Sequence, residues 1–259
     1  MKEPPAPSPA EIVAAARACG ADLAGIAALA DLRASPSHEA WPRLGPYDGV
    51  GTVEPGDGDR SRVRWPEGAR SVVVLAVAHP EAEPHLDAWH RDRRGGTEGN
   101  QKLIEAALGL ARWLGKRGVA ATPLPYHVER GGLFLKDAAV LAGLGCLGRN
   151  NLLVTPAFGP QVRLRAVAVE PALAPTGPSR FDPCAGCPAP CRSACPQGAF
   201  RTRMYNPREV GVAELPGRDG SYDRMACNLR MRADEAAAGG GPVYYCRRCE
   251  FACPVGREP

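Results

Sequence analysis

The sequence predicts an α+β domain over residues 1–178, followed by a cysteine-rich domain over residues 179–259. Three observations support this division. Apolar segments with strand and helix periodicity alternate up to about residue 170. Prolines at 171, 175 and 178 then mark a linker. Eight of the ten cysteines fall after that linker, so the two parts of the chain differ sharply in composition.

The composition indicates a globular protein, since 44% of the 259 residues are hydrophobic and 23% are charged. No apolar segment approaches the roughly 18–20 residues that a membrane-spanning helix needs. The first 30 residues lack the apolar core of a signal peptide. We therefore expect a cytoplasmic protein with no membrane contact. The net charge of +4 is too small to indicate a nucleic-acid partner by itself.

Caps and periodicity predict the elements of the front domain. Ser8 and Glu11 have the spacing of a capping box, which predicts a helix from there to about Cys19. A strand is expected over 23–29, and several prolines predict an irregular segment over 31–69. The remaining predictions are a strand over 72–78 buried on both faces, a loop over 80–97, a helix over 99–117, a strand over 119–124, a helix over 132–142, extended chain over 152–154 and a strand over 162–169.

The cysteines form two runs typical of iron–sulfur proteins. The runs are Cys184-x2-Cys187-x3-Cys191-x3-Cys195-Pro196 and, after an isolated Cys227, Cys246-x2-Cys249-x3-Cys253-Pro254. In two-cluster bacterial ferredoxins the fourth cysteine of each run binds the other cluster. This rule assigns one [4Fe–4S] cluster to Cys184, Cys187, Cys191 and Cys253, and a second to Cys195, Cys227, Cys246 and Cys249. The assignment uses all eight thiols.

One spacing departs from the ferredoxin pattern, because three residues rather than two separate Cys187 from Cys191. The place of Cys191 among the ligands of the first cluster is therefore open. Two structural zinc sites are the alternative, since zinc also uses C-x2-C pairs. The Cys-Pro endings and the runs of three or four cysteines favour clusters. Two adjacent clusters conduct electrons, so we expect the front domain to hold their acceptor.

Residues 143–148 match the pattern G-x-G-x-x-G. A dinucleotide site requires a strand before this pattern and a helix after it. Here a predicted helix precedes the pattern and extended chain follows, so we reject a dinucleotide site. The glycines indicate a close approach of the backbone, either to a neighbouring element of the protein or to a large flat cofactor.

The segment from Leu135 to Asn151 resembles the AGLG-x-x-G-K/R-N segment of the epoxyqueuosine reductase family. Residues 20–27 are similar to that family's opening, and the cysteine runs with the isolated Cys227 have its arrangement. Reductive dehalogenases are similar in plan. The resemblance implies a nitroreductase-like domain that binds a corrinoid, cobalamin, followed by a bacterial-ferredoxin-like domain with two [4Fe–4S] clusters. It also implies corrinoid or substrate contacts from Gly143, Gly145, Gly148, Arg149, Asn150 and Asn151.

The same resemblance directs attention to a general acid. The family has an Asp before the glycine segment, which in this sequence spans residues 143–151. Counting back from Gly143 without a gap assigns Glu129 to the position of that Asp. We predict Glu129 or His127 as the catalytic acid, since either titrates near neutrality in a dry pocket. The alternative for Glu129 is a surface ion pair with Arg130 or Lys136.

Several other polar residues are expected to be structural. Asp137 is predicted on a solvated helix face, and His79 at the end of a strand. We expect Arg224, Asn228 and Arg230, which flank Cys227, on a loop surface.

The resemblance implies an iron–sulfur reductase that passes electrons through two clusters to cobalamin and reduces a small substrate. Its donor would be a low-potential carrier of the ferredoxin or flavodoxin type. One alternative is an electron-transfer or corrinoid-handling protein without substrate chemistry of its own, and a flavin is the alternative cofactor. Another is an epoxyqueuosine reductase acting on tRNA. The chain stops five residues after Pro254, before the helical-repeat domain of the tRNA-acting enzymes, so we do not expect a tRNA partner.

Overall fold

The front part of the chain is a four-stranded antiparallel sheet with helices on both faces. The structure, a computed structural model, describes residues 7–43, 63, 65–204, 206, 208, 211 and 218–256. The strands are β1 (Leu23–Ala28), β2 (Ser71–Ala78), β3 (Ala121–Pro123), β4 (Cys146–Leu147), β5 (Leu153–Val154) and β6 (Val162–Val169). The main sheet has the order β1-β2-β6-β3, and β4 pairs with β5 in a separate hairpin.

The helices surround this sheet and continue into the cysteine-rich part. They are α1 (Pro9–Ala18), α2 (Leu29–Arg33), α3 (Pro36–Ala40), α4 (Glu98–Gly115), α5 (Leu135–Leu141), α6 (Pro190–Ser193), α7 (Arg224–Ala237) and α8 (Arg248–Phe251). Single 3-10 turns lie at Trp41–Arg43, Pro84–Asp87 and Val128–Arg130. Within the described ranges, no helix is long and apolar enough to cross a membrane.

The central strand β2 is buried from Ser71 to Val77, as its uninterrupted apolar run predicts. It pairs with β1 on one edge and β6 on the other, so that Ser71 lies opposite both Ala28 and Val169. Helices α1 and α4 pack against one face of the sheet, and α2 and α5 pack against the other. Apolar contact on both faces leaves no position in β2 for a solvent-facing polar side chain.

The strongest local signals are confirmed. Helix α1 begins with the capping box, since the Glu11 amide donates to Ser8 Oγ and the Ser8 amide donates to the Glu11 carboxylate. Helix α4 and strands β1, β2 and β6 lie within about two residues of their predicted bounds. After α4, Gly118 has φ +72°, the left-handed conformation expected of a helix-ending glycine.

The prediction of an irregular segment over 31–69 is wrong at its start, because α2, α3 and a 3-10 turn fill residues 29–43. Pro36 stands in the first turn of α3. A proline there loses no helical hydrogen bond, and its fixed φ suits the helix. Residues 44–62 and 64 lie outside the described residues.

Helix α5 begins three residues later than predicted, at Leu135. Gly132 lies in the preceding turn, where an added Cβ would be 2.5 Å from Pro125 O. Helix α7 in the cysteine-rich part was not predicted. Only Asn228 among its residues is buried, so the helix has no apolar stripe to reveal it.

The segment predicted as a linker packs between β1 and the end of α5. Thr176 Oγ1 accepts a hydrogen bond from the Ile26 amide at 2.8 Å and lies 2.6 Å from Ala142 O, to which it donates. Gly177 packs against Gly143, since an added Cβ on Gly177 would lie 2.2 Å from Gly143 N. The linker therefore ties the chain leaving the sheet to the start of the glycine segment.

Replacing Thr176 with Val keeps the side-chain shape and removes both hydroxyl hydrogen bonds. Two partly buried backbone groups lose a partner, and we expect the free energy of unfolding to fall by about 1–3 kcal/mol in chemical denaturation. Thr122→Val, at an exposed position of β3, is the control and should change stability little. Equal effects of the two variants would contradict this role for Thr176.

Candidate metal centre

Four cysteines from both ends of the cysteine-rich part line one cavity with an empty volume of about 350 Å³, open to solvent. They are Cys184, Cys187, Cys191 and Cys253, the set assigned to the first cluster. Arg149, Asn150 and Val154 of the glycine segment and the following hairpin line the same cavity. The first candidate centre therefore lies where the cysteine-rich part meets the front domain.

The backbone conformation of one residue accommodates the additional position between Cys187 and Cys191. Ala189, in the three-residue gap, has φ +58° and ψ +53°, and helix α6 starts directly after it at Pro190. A left-handed conformation costs a non-glycine residue about 1–2 kcal/mol. The turn lets Cys191 line the cavity with the other three thiols despite the additional residue.

The other four cysteines form a second neighbourhood. Burial raises the pKa of the Cys227 thiol, and the nearby thiols of Cys195 and Cys246 add to this rise. Burial likewise raises the pKa of Cys249, with Glu250 and the same three cysteines acting in the same direction. Cys195, Cys227, Cys246 and Cys249 thus stand close enough to interact electrostatically, and they are the set assigned to the second cluster.

Hydrogen-bond donors point at several of these sulfurs. The Ala189 amide donates to Cys187 Sγ at 3.4 Å, and the Ala199 amide donates to Cys195 Sγ at 3.3 Å. The Tyr222 hydroxyl hydrogen-bonds the Cys227 side chain. Donors to sulfur stabilise thiolates and raise the potential of a cluster that the thiolates bind.

The donor set fits iron–sulfur clusters. Burial raises the pKa of Cys191, Cys227 and Cys249, so thiolates there require a neighbouring positive charge, which bound iron supplies. Across the residues that the structure describes, no three His, Cys, Asp or Glu side chains converge on a single ion-sized point. A cubane cluster requires no such convergence, because each thiolate binds a different iron.

The three glycines of the glycine segment approach protein rather than open space. An added Cβ would lie 3.0 Å from Gly177 Cα at Gly143, 2.1 Å from Val154 O at Gly145, and 2.6 Å from Val154 Cγ2 at Gly148. Gly143 also has φ +75°. The segment therefore needs glycine for its packing against the linker and β5. A contact of these residues with a corrinoid stays a prediction.

The polar residues after the glycines hold the cluster loops. Arg149 donates from Nη1 to Cys187 O at 3.0 Å, and the buried Asn150 donates from Nδ2 to Cys249 O at 3.3 Å. One short segment thus contacts both cysteine neighbourhoods. Asn151 has φ +58°, and its carbonyl accepts from Lys136 Nζ at 2.7 Å. Corrinoid contacts from these three residues stay predictions as well.

The candidate acids lie in the turn before α5. His127 precedes the 3-10 turn Val128–Arg130, and its carbonyl accepts the amides of Arg130 and Gly132. The half-buried His127 ring contacts Tyr126 edge-on at 5.2 Å. The backbone of Glu129 belongs to this turn, while its side chain lies outside the described part of the structure. Its catalytic role stays a prediction.

The prediction of a solvated Asp137 is wrong. Its carboxylate is buried and accepts from the Ser37 amide at 2.9 Å and the Ser37 hydroxyl at 2.8 Å, which ties α5 to α3. The neighbouring Lys136 is the polar residue that sequence reasoning overlooked. Burial lowers its pKa to about 8, against the raising effect of Asp137, and Arg224 at the start of α7 lowers it further. Arg224, Asn228 and Arg230 stand on a helix and not on the predicted loop.

A second overlooked group is a buried ion cluster around Asp87 in the predicted loop 80–97. Its carboxylate contacts Arg163 on β6, His79 after β2, and Arg247 between two of the candidate ligands. Burial alone would raise the pKa of Asp87, but the hydrogen bond from His79 and the charges of Arg163 and Arg247 outweigh it and lower the value to about 2. His79 therefore has a structural role at the strand end, as predicted, although only Nδ1 is satisfied and the buried Nε2 has no hydrogen-bond partner among the described residues.

Comparison with known proteins gives two groups of relatives. The tetrachloroethene reductive dehalogenase of Dehalobacter restrictus is 36% identical over 121 residues, 44% of this chain and 21% of that protein. The epoxyqueuosine reductase of Gloeobacter violaceus is 30% identical over 273 aligned positions, 96% of this chain and 76% of that protein. The chain thus spans about a fifth of the dehalogenase and three quarters of this reductase. No protein-family model matches the sequence.

Solved structures share the fold. An epoxyqueuosine reductase in complex with an epoxyqueuosine-modified tRNA-Tyr stem loop matches with a TM-score of 0.60 and 20% identity, covering 95% of this chain and 64% of that one. A reductive dehalogenase described as suggesting a mechanism for B12-dependent dehalogenation matches with a TM-score of 0.60 and 19% identity, covering 95% of this chain and 32% of that one.

The fold and the sequence similarity relate this chain to a class of reductases that includes reductive dehalogenases and epoxyqueuosine reductases. Similarity to the Gloeobacter protein over 96% of this chain is more specific, and it confirms the resemblance carried by the glycine segment. The chain belongs to the epoxyqueuosine reductase family.

The two sets of cysteines predict a stepwise loss of iron. Anaerobic reconstitution of the unsubstituted chain should give about eight irons per chain. Cys191→Ala, which has no donor atom for iron, should reduce this to about four, whereas Cys19→Ala, outside the cysteine runs, should keep eight. Iron analysis and visible absorption measure both. Full iron content in the Cys191 variant would remove that residue from the ligand set.

Proposed function

We propose that the protein is an iron–sulfur reductase that passes electrons through two [4Fe–4S] clusters to a cobalamin held by the front domain, for reduction of a small substrate. The observation that carries the proposal is that the eight cysteines lie in two groups of four, and that the glycine segment of the front domain donates a hydrogen bond to the loop of each group. Membership of the epoxyqueuosine reductase family supports it.

The two neighbourhoods favour transfer of electrons between them. Cys191 and Cys195 are separated by three residues across α6, and they belong to different sets. The clusters that these thiols would hold lie accordingly close together. A low-potential carrier of the ferredoxin or flavodoxin type is the donor that fits such a pair, since ferredoxin-type clusters have potentials far below zero.

The surface around α7 fits a large cofactor with apolar faces and polar edges. Met225 and Leu229, one helical turn apart on α7, are 45% and 63% exposed. Arg224 at the start of this helix lowers the pKa of Lys136 on α5, the helix that follows the turn with the candidate acids. When bound, reduced cobalamin would supply a strong nucleophile or reductant at this place.

Protein side chains around that place would handle the proton. Counting back from Gly143 without a gap assigns Glu129 to the family's Asp position, and His127 lies two residues before it. Lys136, with a pKa near 8, holds the Asn151 carbonyl and adds a positive charge near Arg224. We assign proton donation to Glu129 and positioning of the segment to Lys136.

A second candidate function is reduction of epoxyqueuosine in tRNA. It is favoured by the 30% identity to the Gloeobacter epoxyqueuosine reductase over nearly the whole chain. The two functions share the clusters and the cobalamin and differ only in the substrate. An electron-transfer protein without its own substrate would share the clusters alone.

Cobalamin binding is tested by anaerobic titration of the reconstituted protein with cob(II)alamin. We expect a change in the visible spectrum and an EPR signal of bound cobalt, saturating at one cobalamin per chain. Flavin mononucleotide, titrated in parallel, tests the alternative cofactor. Eight irons with no cobalamin binding would contradict the proposal and leave a two-cluster electron carrier or a flavin-dependent reductase.

Glu129→Gln separates the reductase from an electron carrier. We expect loss of substrate turnover with unchanged dithionite reduction of the clusters, because the amide cannot give the proton. The probes are free epoxyqueuosine nucleoside and an epoxyqueuosine-containing tRNA stem loop, which also distinguish the two substrate classes. Glu105→Gln, on an exposed face of α4, is the control. Turnover equal to that of the control would remove Glu129 from the mechanism.

A further inference from the structure

Arg247 extends from the loop of the second centre into the front domain. It lies between Cys246 and Cys249, yet its side chain is only 10% exposed. Nη1 contacts the Asp87 carboxylate, Nη2 donates to His79 O at 2.7 Å, and Nε donates to Glu250 Oε2 at 2.7 Å. All three guanidinium nitrogens are therefore satisfied, two of them by residues more than 150 positions earlier in the chain.

The front domain surrounds this side chain with a charged pocket, the socket, which is formed by Asp87, Arg163 and His79. Asp87, 5% exposed, also accepts from Arg163 Nε at 2.6 Å and contacts His79 Nδ1 at 2.5 Å. Removing one member of a buried ion pair leaves an uncompensated buried charge, so a partly filled socket is strongly disfavoured. Arg163 of the front domain pairs with Asp87 Oδ1, and Arg247 pairs with Oδ2 beside the His79 hydrogen bond, so the front domain positions the carboxylate and Arg247 completes its charge compensation.

A backbone contact also joins the front domain to the cysteine-rich part. Trp89 and Val243 form a two-way antiparallel bridge, each amide donating to the other residue's carbonyl at 2.9 Å. The loop over 80–97 thus contacts the chain on both sides of Cys246, through Val243 and through Arg247. Arg248, the next residue along the chain, also lies between Cys246 and Cys249 in sequence, but it is exposed. It therefore offers an internal comparison.

We propose that Arg247 and Asp87 are positioning residues that dock the loop of the second cluster onto the front domain, and that their opposite charges set the potential of that cluster. The electrostatic part rests on the proposed function, because it requires the cluster. Reduction adds negative charge to a cluster. A fixed positive charge nearby therefore raises its reduction potential, and a fixed negative charge lowers it.

The two charges allow docking to be separated from electrostatics. Arg247→Gln and Asp87→Asn both weaken the docking, so both should speed amide hydrogen exchange over residues 243–253 and lower the thermal midpoint. Their effects on potential should have opposite signs. Loss of Arg247 should lower the potential of the second cluster in an EPR-monitored redox titration, and loss of Asp87 should raise it. A merely structural role would shift the two variants in the same direction.

Controls keep the result interpretable. Arg248→Gln and Asp92→Asn make the same charge changes at exposed positions, where solvent screens them, and should alter exchange and potential much less. Arg247→Lys keeps the charge but cannot reproduce the three-way contact. It should loosen the loop while leaving the potential near that of the unsubstituted protein. If Arg247→Gln retains no second cluster, Arg247→Lys still tests the docking by hydrogen exchange, and Asp87→Asn still tests the sign of the electrostatic effect.

The outcomes separate this proposal from the proposed function. Iron content of the unsubstituted protein well below about eight would contradict the two-cluster function, while hydrogen exchange would still test the docking. Exchange and stability of Arg247→Gln equal to those of Arg248→Gln would overturn the docking. Potential shifts of the same sign in the Arg247 and Asp87 variants would overturn the electrostatic part.

Discussion

Each group of four thiols takes one member from the other cysteine run, and this crossing constrains the rest of the cysteine-rich part. Cys253 lines the cavity of the first run, while Cys195 stands with Cys227 and the second run. A chain that satisfies both groups must fold back on itself. Helices α6 and α8 accordingly pack together, although each has only four residues. Such short helices have little stability of their own, so the thiol groups determine where they lie.

The glycine segment is the support on which both groups rest. Its glycines allow close packing against Gly177 and Val154, and the two residues that follow donate to Cys187 O and Cys249 O. A backbone carbonyl is a suitable anchor, because it exists whatever side chain stands at that position. Directional hydrogen bonds from Arg149 and Asn150 thus contribute to the position of both cysteine loops relative to the front sheet.

The sequence predicted helices and strands best where residues close together in the chain determine them. Helix α4 has its apolar stripe and β2 its uninterrupted apolar run, so periodicity alone predicts both. Helix α7 was missed because only one of its residues is buried, so it has no apolar stripe, and its cap and its Arg230–Asp234 ion pair are polar contacts that periodicity does not detect. The burial of Asp137 was misjudged because its partner, Ser37, lies 100 residues away. The two groups of cysteines were predictable from spacing because the cluster rule itself describes a non-local pairing.

The loop over 80–97 shows why a polar interface is hard to recognise in a sequence. Its composition is that of a solvated loop, yet Asp87 is buried by His79, eight residues earlier, and by the distant Arg163 and Arg247. Apolar contacts are non-directional and tolerate sliding, whereas a carboxylate with three donors permits a single arrangement. Electron transfer between a cluster and a cofactor depends steeply on their separation. If the proposed clusters and cofactor are bound, an ion pair such as Asp87–Arg247 is a physically appropriate way to hold the second cysteine loop at a fixed distance from the front domain.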